Sequence, residues 1–149
     1  MVIQRDEWSP LLQSLKDKVS AQGRRKLLFQ MIGDIYDITV LNFGHGEGIN
    51  RPAQWSILSQ RYAQEKKGGD RTPTLELTGA LKSGFVHDIS GNTATLTNMV
   101  EYADQHQFGA AYKNLPARPY YPVDESGLNL TPYAEARQME IVEGHFKAL

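Results

Sequence analysis

Apolar residues recur at helical spacing through the first third of the chain and alternate like strands only near its middle. Leu11, Leu12, Leu15 and Val19 fall on one helical face. Ser9-Pro10 just ahead of them is a good helix start, because serine caps and proline fits the first helical position, where its missing N–H would go unpaired anyway. Gly23, a poor helix-interior residue, is expected to end or kink this helix. Leu27, Leu28, Met31, Ile32, Ile35, Ile38 and Leu41, spaced three and four apart, predict a longer helix over 24–42 with that stripe in the core. Gly44-His45-Gly46-Glu47-Gly48 breaks the pattern and predicts a mobile loop over 44–54. Ser59 is placed to cap a short helix reaching Lys67, and Lys66 to Pro73 reads as a second mobile loop, over 66–74.

The middle of the chain changes period. Thr78 to Ser83 reads as a helical turn or two. In Phe85 to Ile89 the odd positions share a face, β-branched residues dominate Thr93 to Thr97, and Ser90-Gly91-Asn92 between them carries hairpin chemistry. A short helix over Tyr102 to Phe108 should stop at Gly109. Pro116 to Val123 reads as an extended edge segment, since its prolines cannot donate to a ladder. Thr131-Pro132 repeats the start signal of residue 9 and opens a last helix to about 147. The fold expected is α+β: one domain over 1–149, with two N-terminal helices and one C-terminal helix packed on a small, mostly antiparallel sheet. Further strands are expected near 74–77 and 117–123, because three strands covered by helices are about the least that is independently stable.

Composition narrows the chemistry. At 149 residues the chain is long enough to bury a core without a metal or disulfide. There is no cysteine, which removes disulfides and thiolate chemistry. A formal net charge of −1 argues against coating nucleic acid through bulk charge. The local basic runs are Arg24-Arg25-Lys26 and Lys66-Lys67 with Arg71. No run approaches the roughly 20 apolar residues of a membrane span, and the N-terminus lacks the apolar core of a signal peptide. The expected location is therefore the cytoplasm.

No catalytic, cofactor or metal site is legible. His45, His87, His106 and His145 have no ligand-like spacing. No Gly-x-Ser-x-Gly elbow occurs. The Gly44-x-Gly46-x-Gly48 loop follows a helix and lacks the lysine of a phosphate loop.

What stands out is a set of small motifs in order: Trp55 with Ser59; Thr78, Gly79, Leu81 and Ser83; Tyr102, then His106, Gln107, Phe108 and Gly109; and Pro116, Arg118, Pro119 and Tyr120. Thr78-Gly79 lets the chain turn sharply, Tyr102 and Phe108 can anchor a short helix, and Arg118 can fork onto a carboxylate or backbone carbonyls. Each of these residues can serve the fold or an interface. Together and in this order the block resembles the phage virion morphogenesis (tail completion) family. It departs from that pattern in the Gly-rich approach Gly48-Ile49-Asn50-Arg51-Pro52 and in Tyr120, where phenylalanine is common. The resemblance implies a structural protein of a tailed phage or prophage, acting in tail completion and head–tail joining. It implies no substrate and no cofactor, self-association into a ring, contacts with other tail and neck proteins, and a place in the host cytoplasm during assembly and then in the virion. The hairpin 85–97 and the segment 110–122 would meet a neighbour. Two alternatives remain open: a neck adaptor contacting portal or DNA, and a small prophage hydrolase built around His106.

Overall fold

A computed structural model describes residues 5–43, 51, 55–72, 75 and 79–147. The chain runs α1 (Arg5–Val19), α2 (Ala21–Leu41), α3 (Gln60–Lys66), α4 (Ala80–Ser83), β1 (Phe85–Ser90), β2 (Thr93–Asn98), α5 (Ala103–Phe108), a 3-10 turn (Ala111–Lys113) and α6 (Pro132–Lys147). This is an α+β arrangement in which helices flank an antiparallel pair of strands.

The start of α1 differs from the expectation. Helix begins one turn earlier, at Arg5, and Pro10 lies inside it. The break between the first two helices also moves, from Gly23 to Ser20. Ser20 is extended and its Oγ accepts from the Gly23 N–H (3.1 Å), capping α2 directly against the end of α1. Gly23 is needed for a different reason. A Cβ there would lie 2.3 Å from the Asp17 carbonyl oxygen and 2.4 Å from that of Lys18. The missing side chain lets α2 turn against the last turn of α1.

α2 is the spine of the molecule, packing on α1, α6 and both strands. Its stripe is only partly core. Ile32 and Ile38 are buried, but Leu41 is 68% exposed, and Thr39, Asn42 and Phe43 are buried instead. The Thr39 hydroxyl donates to the Ile35 carbonyl, which satisfies it inside the helix (2.7 Å). Asp34 ties α2 to α6, accepting from Arg137 Nη2 (2.8 Å) and Gln138 Nε2 (2.9 Å). The apolar face of α1 stands largely open, with Leu12 59% and Val19 51% exposed.

The hairpin forms as expected, with Ser90 opposite Thr93 and Phe85 opposite Asn98. Gly91 (φ 57°) takes the first turn position, where a positive φ is required. α2 lies on the face holding Phe85 and His87: Tyr36 packs edge-on to Phe85 and Phe29 edge-on to His87. Among the described residues the sheet stops at two strands. Segment 117–123 forms no strand. Only Val123 makes a bridge, to Leu130, because Pro119 and Pro122 have no N–H and the neighbouring donors are spent on side chains. Residues 74, 76 and 77 of the other expected strand lie outside the described set, as does the 44–54 loop apart from Arg51. In the 66–74 loop, residues 67–72 form a hydrogen-bonded turn: Arg71 and Leu58 bond reciprocally, with Leu58 N–H to Arg71 O at 3.0 Å and Arg71 Nε to Leu58 O at 2.9 Å.

Candidate functional site

The motif residues converge on Tyr120. Its ring is fully buried, in a cluster with Phe43, Trp55, Leu81 and Ala103. Phe43 lies tilted against it at 5.1 Å between centroids, and Phe85 stands edge-on at 5.7 Å, both in the range where aromatic pairs attract.

The backbone leading into this ring is held by side chains rather than by strands. Gln107 Oε1 accepts from the N–H of Tyr120 (2.9 Å) and of Tyr121 (3.1 Å). Asn42 Nδ2 donates to the Tyr120 carbonyl (2.9 Å), and Trp55 Nε1 to the Pro119 carbonyl (2.9 Å). The Tyr120 hydroxyl donates to the Ala103 carbonyl (3.1 Å). So Trp55, Gln107 and the Pro119-Tyr120 pair, from three separate stretches of sequence, form one polar clamp inside an apolar cluster. Leaving any one of these buried groups unpaired costs about 1–3 kcal/mol. Burial holds the Tyr120 phenol well above its ordinary range and pushes Tyr121 up to about 12, so both stay protonated and uncharged.

His106 and Arg118 sit beside this clamp. The Arg118 N–H donates to the His106 carbonyl (2.6 Å), and Arg118 Nη2 to the Ser56 carbonyl (3.2 Å). Of the two expected forks for Arg118, it takes the backbone one. The residue is 5% exposed, and its Nε, like Nδ1 of His106, has no hydrogen-bond partner among the described residues. Burial first, and then the Arg118 charge, lower the His106 pKa. Burial likewise lowers that of Arg118. The imidazole is thus a neutral, half-buried ring, edge-on to Tyr102 at 5.7 Å. No serine or carboxylate among the described residues bonds to it, as a hydrolytic site would need.

The other motif residues have separate duties. Ser59 caps α3, accepting from the Tyr62 N–H (3.3 Å). Ser83 donates back to the Gly79 carbonyl (2.9 Å), and Gly79 starts α4 at φ 72°. Leu81 fills the aromatic cluster. Gly109 (φ 77°, ψ 169°) adopts a conformation open in practice to glycine alone. A Cβ there would meet the Ala117 nitrogen at 2.9 Å, so the residue also lets α5 lie against the 116–119 segment. Thr78 lies outside the described residues. Tyr102, Phe108 and Pro116 stand exposed around the clamp, Phe108 at 65%.

Two features were not singled out from sequence. Asn42 and Phe43 end α2 inside the cluster, and only their nearness to a helix stripe could have flagged them. The turn after Val123 is the other. Asp124 accepts from Ser126 Oγ (2.5 Å), Asn129 Nδ2 (2.8 Å) and nearby N–H groups. These bonds hold its carboxyl down to about 2 and present Leu128, 85% exposed, at the tip.

The basic run is mostly structural. Arg24 reaches the Val19 carbonyl (2.6 Å) and Asn92 Oδ1 (3.1 Å), while Arg25 reaches the Ile89 carbonyl (3.1 Å). They pin the start of α2 to the hairpin tip. Among the described residues no three His, Asp or Glu side chains gather as a metal site, and no helix is long and apolar enough to cross a membrane. Compared with known proteins, the chain matches no family model, no curated protein and no solved structure.

Proposed function

We propose that this chain is a structural protein of phage virion morphogenesis, acting in tail completion and head–tail joining through self-association and contacts with other tail and neck proteins. One observation carries the reading. The motif block that resembles the tail completion family is spatially coherent: Trp55, Gln107, Pro119 and Tyr120 close into one buried clamp. The block therefore encodes a fold, as an assembly family's signature would, with interface residues exposed around it.

The exposed surface fits the same role. Phe108, Leu128 and Tyr112 are exposed beside the clamp or on its neighbouring turns, and Leu11, Leu12, Leu15 and Val19 open along α1. Exposed apolar side chains along one helix face, as on α1, suit protein–protein contact. With α2's arginines committed to backbone and Asn92, docking to protein is better supported than docking to DNA.

The test is a pull-down from cells expressing the whole phage or prophage structural cluster, read by mass spectrometry. Tail-tube, terminator or connector proteins should be recovered, and gene deletion should leave unjoined heads and tails. Normal tailed particles after deletion, with only monomer recovered, would overturn the reading.

A further inference from the structure

Among the described residues the two-stranded sheet leaves the Ala94–Leu96 stretch of the β2 edge without a backbone partner. Met99 N–H donates to the Gly84 carbonyl (2.8 Å), which fixes the alternation along the hairpin. Bonded and non-bonded pairs alternate in an antiparallel ladder. Ala94, Leu96 and Asn98 therefore turn their N–H and C=O groups away from β1. The Asn98 N–H is used by the Tyr121 hydroxyl. Among the described residues those of Ala94 and Leu96 meet no backbone partner.

Natural edge strands are protected by charge, proline, bulges or cover. β1 follows that rule, with His87 and Asp88 in the strand and the Arg25 guanidinium on the Ile89 carbonyl. β2 does not. Thr93-Ala94-Thr95-Leu96-Thr97-Asn98 has no charge and no proline, and its register is unbroken. Its three threonines suit a strand, and all lie on the exposed face.

We propose that β2 pairs with β2 of a second copy of this chain across a two-fold axis at Thr95. In that register Ala94 faces Leu96 of the other copy, and each pair exchanges both backbone bonds, four in all. Small faces large on the α2 side, and threonine faces threonine on the outer side. With no charge on the strand, like meets like without repulsion. The product is a four-stranded sheet with both α2 helices on one face, above the size at which sheets become independently stable. The inference rests on the assembly role, since it supplies a self-association contact. It goes further in predicting an isologous contact, which joins copies in pairs rather than around a ring.

The chain has no cysteine, so Thr95→Cys is a single-cysteine probe at an exposed site. Residues opposed in a non-bonded pair have Cα atoms about 4.5 Å apart, within disulfide reach. Thr93→Cys is the control. In the proposed register its own counterpart lies roughly 13 Å away along the strand, beyond bridging. Under mild oxidation of the purified full chain, Thr95→Cys should form covalent dimer at least about tenfold faster than Thr93→Cys, because pairing raises its effective concentration. Adding Leu96→Pro, which removes one outward donor, should abolish the difference. Equal rates, or no dimer from either, would overturn the self-pairing even if the edge captured a strand of another protein. The experiment contains no other phage protein, so its failure leaves tail joining untouched. Failure of the pull-down likewise leaves the disulfide result standing.

Discussion

Gln107 shows how much one side chain can decide. Its single carbonyl oxygen takes two backbone donors, so 119–121 can run through the core without a strand beside it. His106, its neighbour, faces the opposite problem of being held neutral beside a cation. Its folded pKa lies below its ordinary value of 6.5. The unfolded chain therefore takes up the proton first as pH falls. The stability linked to His106 is complete above that value and is lost as pH drops through it toward the folded pKa. Urea unfolding from about pH 8 to about pH 5 should show wild type losing stability relative to His106→Gln; parallel curves would place His106 outside the buried environment described. The sequence marked His106, Gln107 and Arg118 as motif residues and gave Arg118 a carboxylate or backbone carbonyls to fork onto. It did not say where each would bond, because the Tyr120 and Tyr121 N–H groups on Gln107 and the Ser56 carbonyl on Arg118 are backbone groups whose positions depend on distant chain segments.

At the scale of elements, local rules decided most outcomes. Helical spacing, the Ser59 cap, the Gly91 turn and the Gly109 stop all operate within a few residues, and α2, α3, α5, α6 and the hairpin lie close to where those rules put them. The junction of α1 and α2 was misplaced because Gly23 reads locally as a breaker. Its role is a close approach between helices, which no window of sequence displays. Gly23→Ala separates the two explanations. If glycine were there to break a helix, alanine would stabilise by up to about 1 kcal/mol. With the Asp17 and Lys18 carbonyls in the way, overpacking should instead destabilise by about 1–3 kcal/mol, read as a lower denaturation midpoint. The expected strand at 117–123 failed for a related reason. An apolar extended run satisfies strand patterning, but its donors and acceptors went to Gln107, Asn42, Trp55 and His106.

For the whole molecule, the open face of α1 has the largest consequence. Leu11, Leu12, Leu15 and Val19 have the spacing of a core stripe and are exposed, which fits a chain that completes its burial on assembly. Leu12→Lys should leave monomer stability within about 0.5 kcal/mol while reducing incorporation into tailed particles. A large loss of stability with normal incorporation would place that face in the monomer's own core. The sequence by itself determined the helices, the hairpin, the α+β class and the motif block, because periodicity, capping and turn chemistry act between near neighbours. Only the tertiary structure decided which apolar stripe is buried, that the sheet stops at two strands and β2 keeps a bare edge among the described residues, and that Arg118 and Gln107 face inward. Each of those depends on what lies across from a residue in space, and the chain sets that only when it closes on itself.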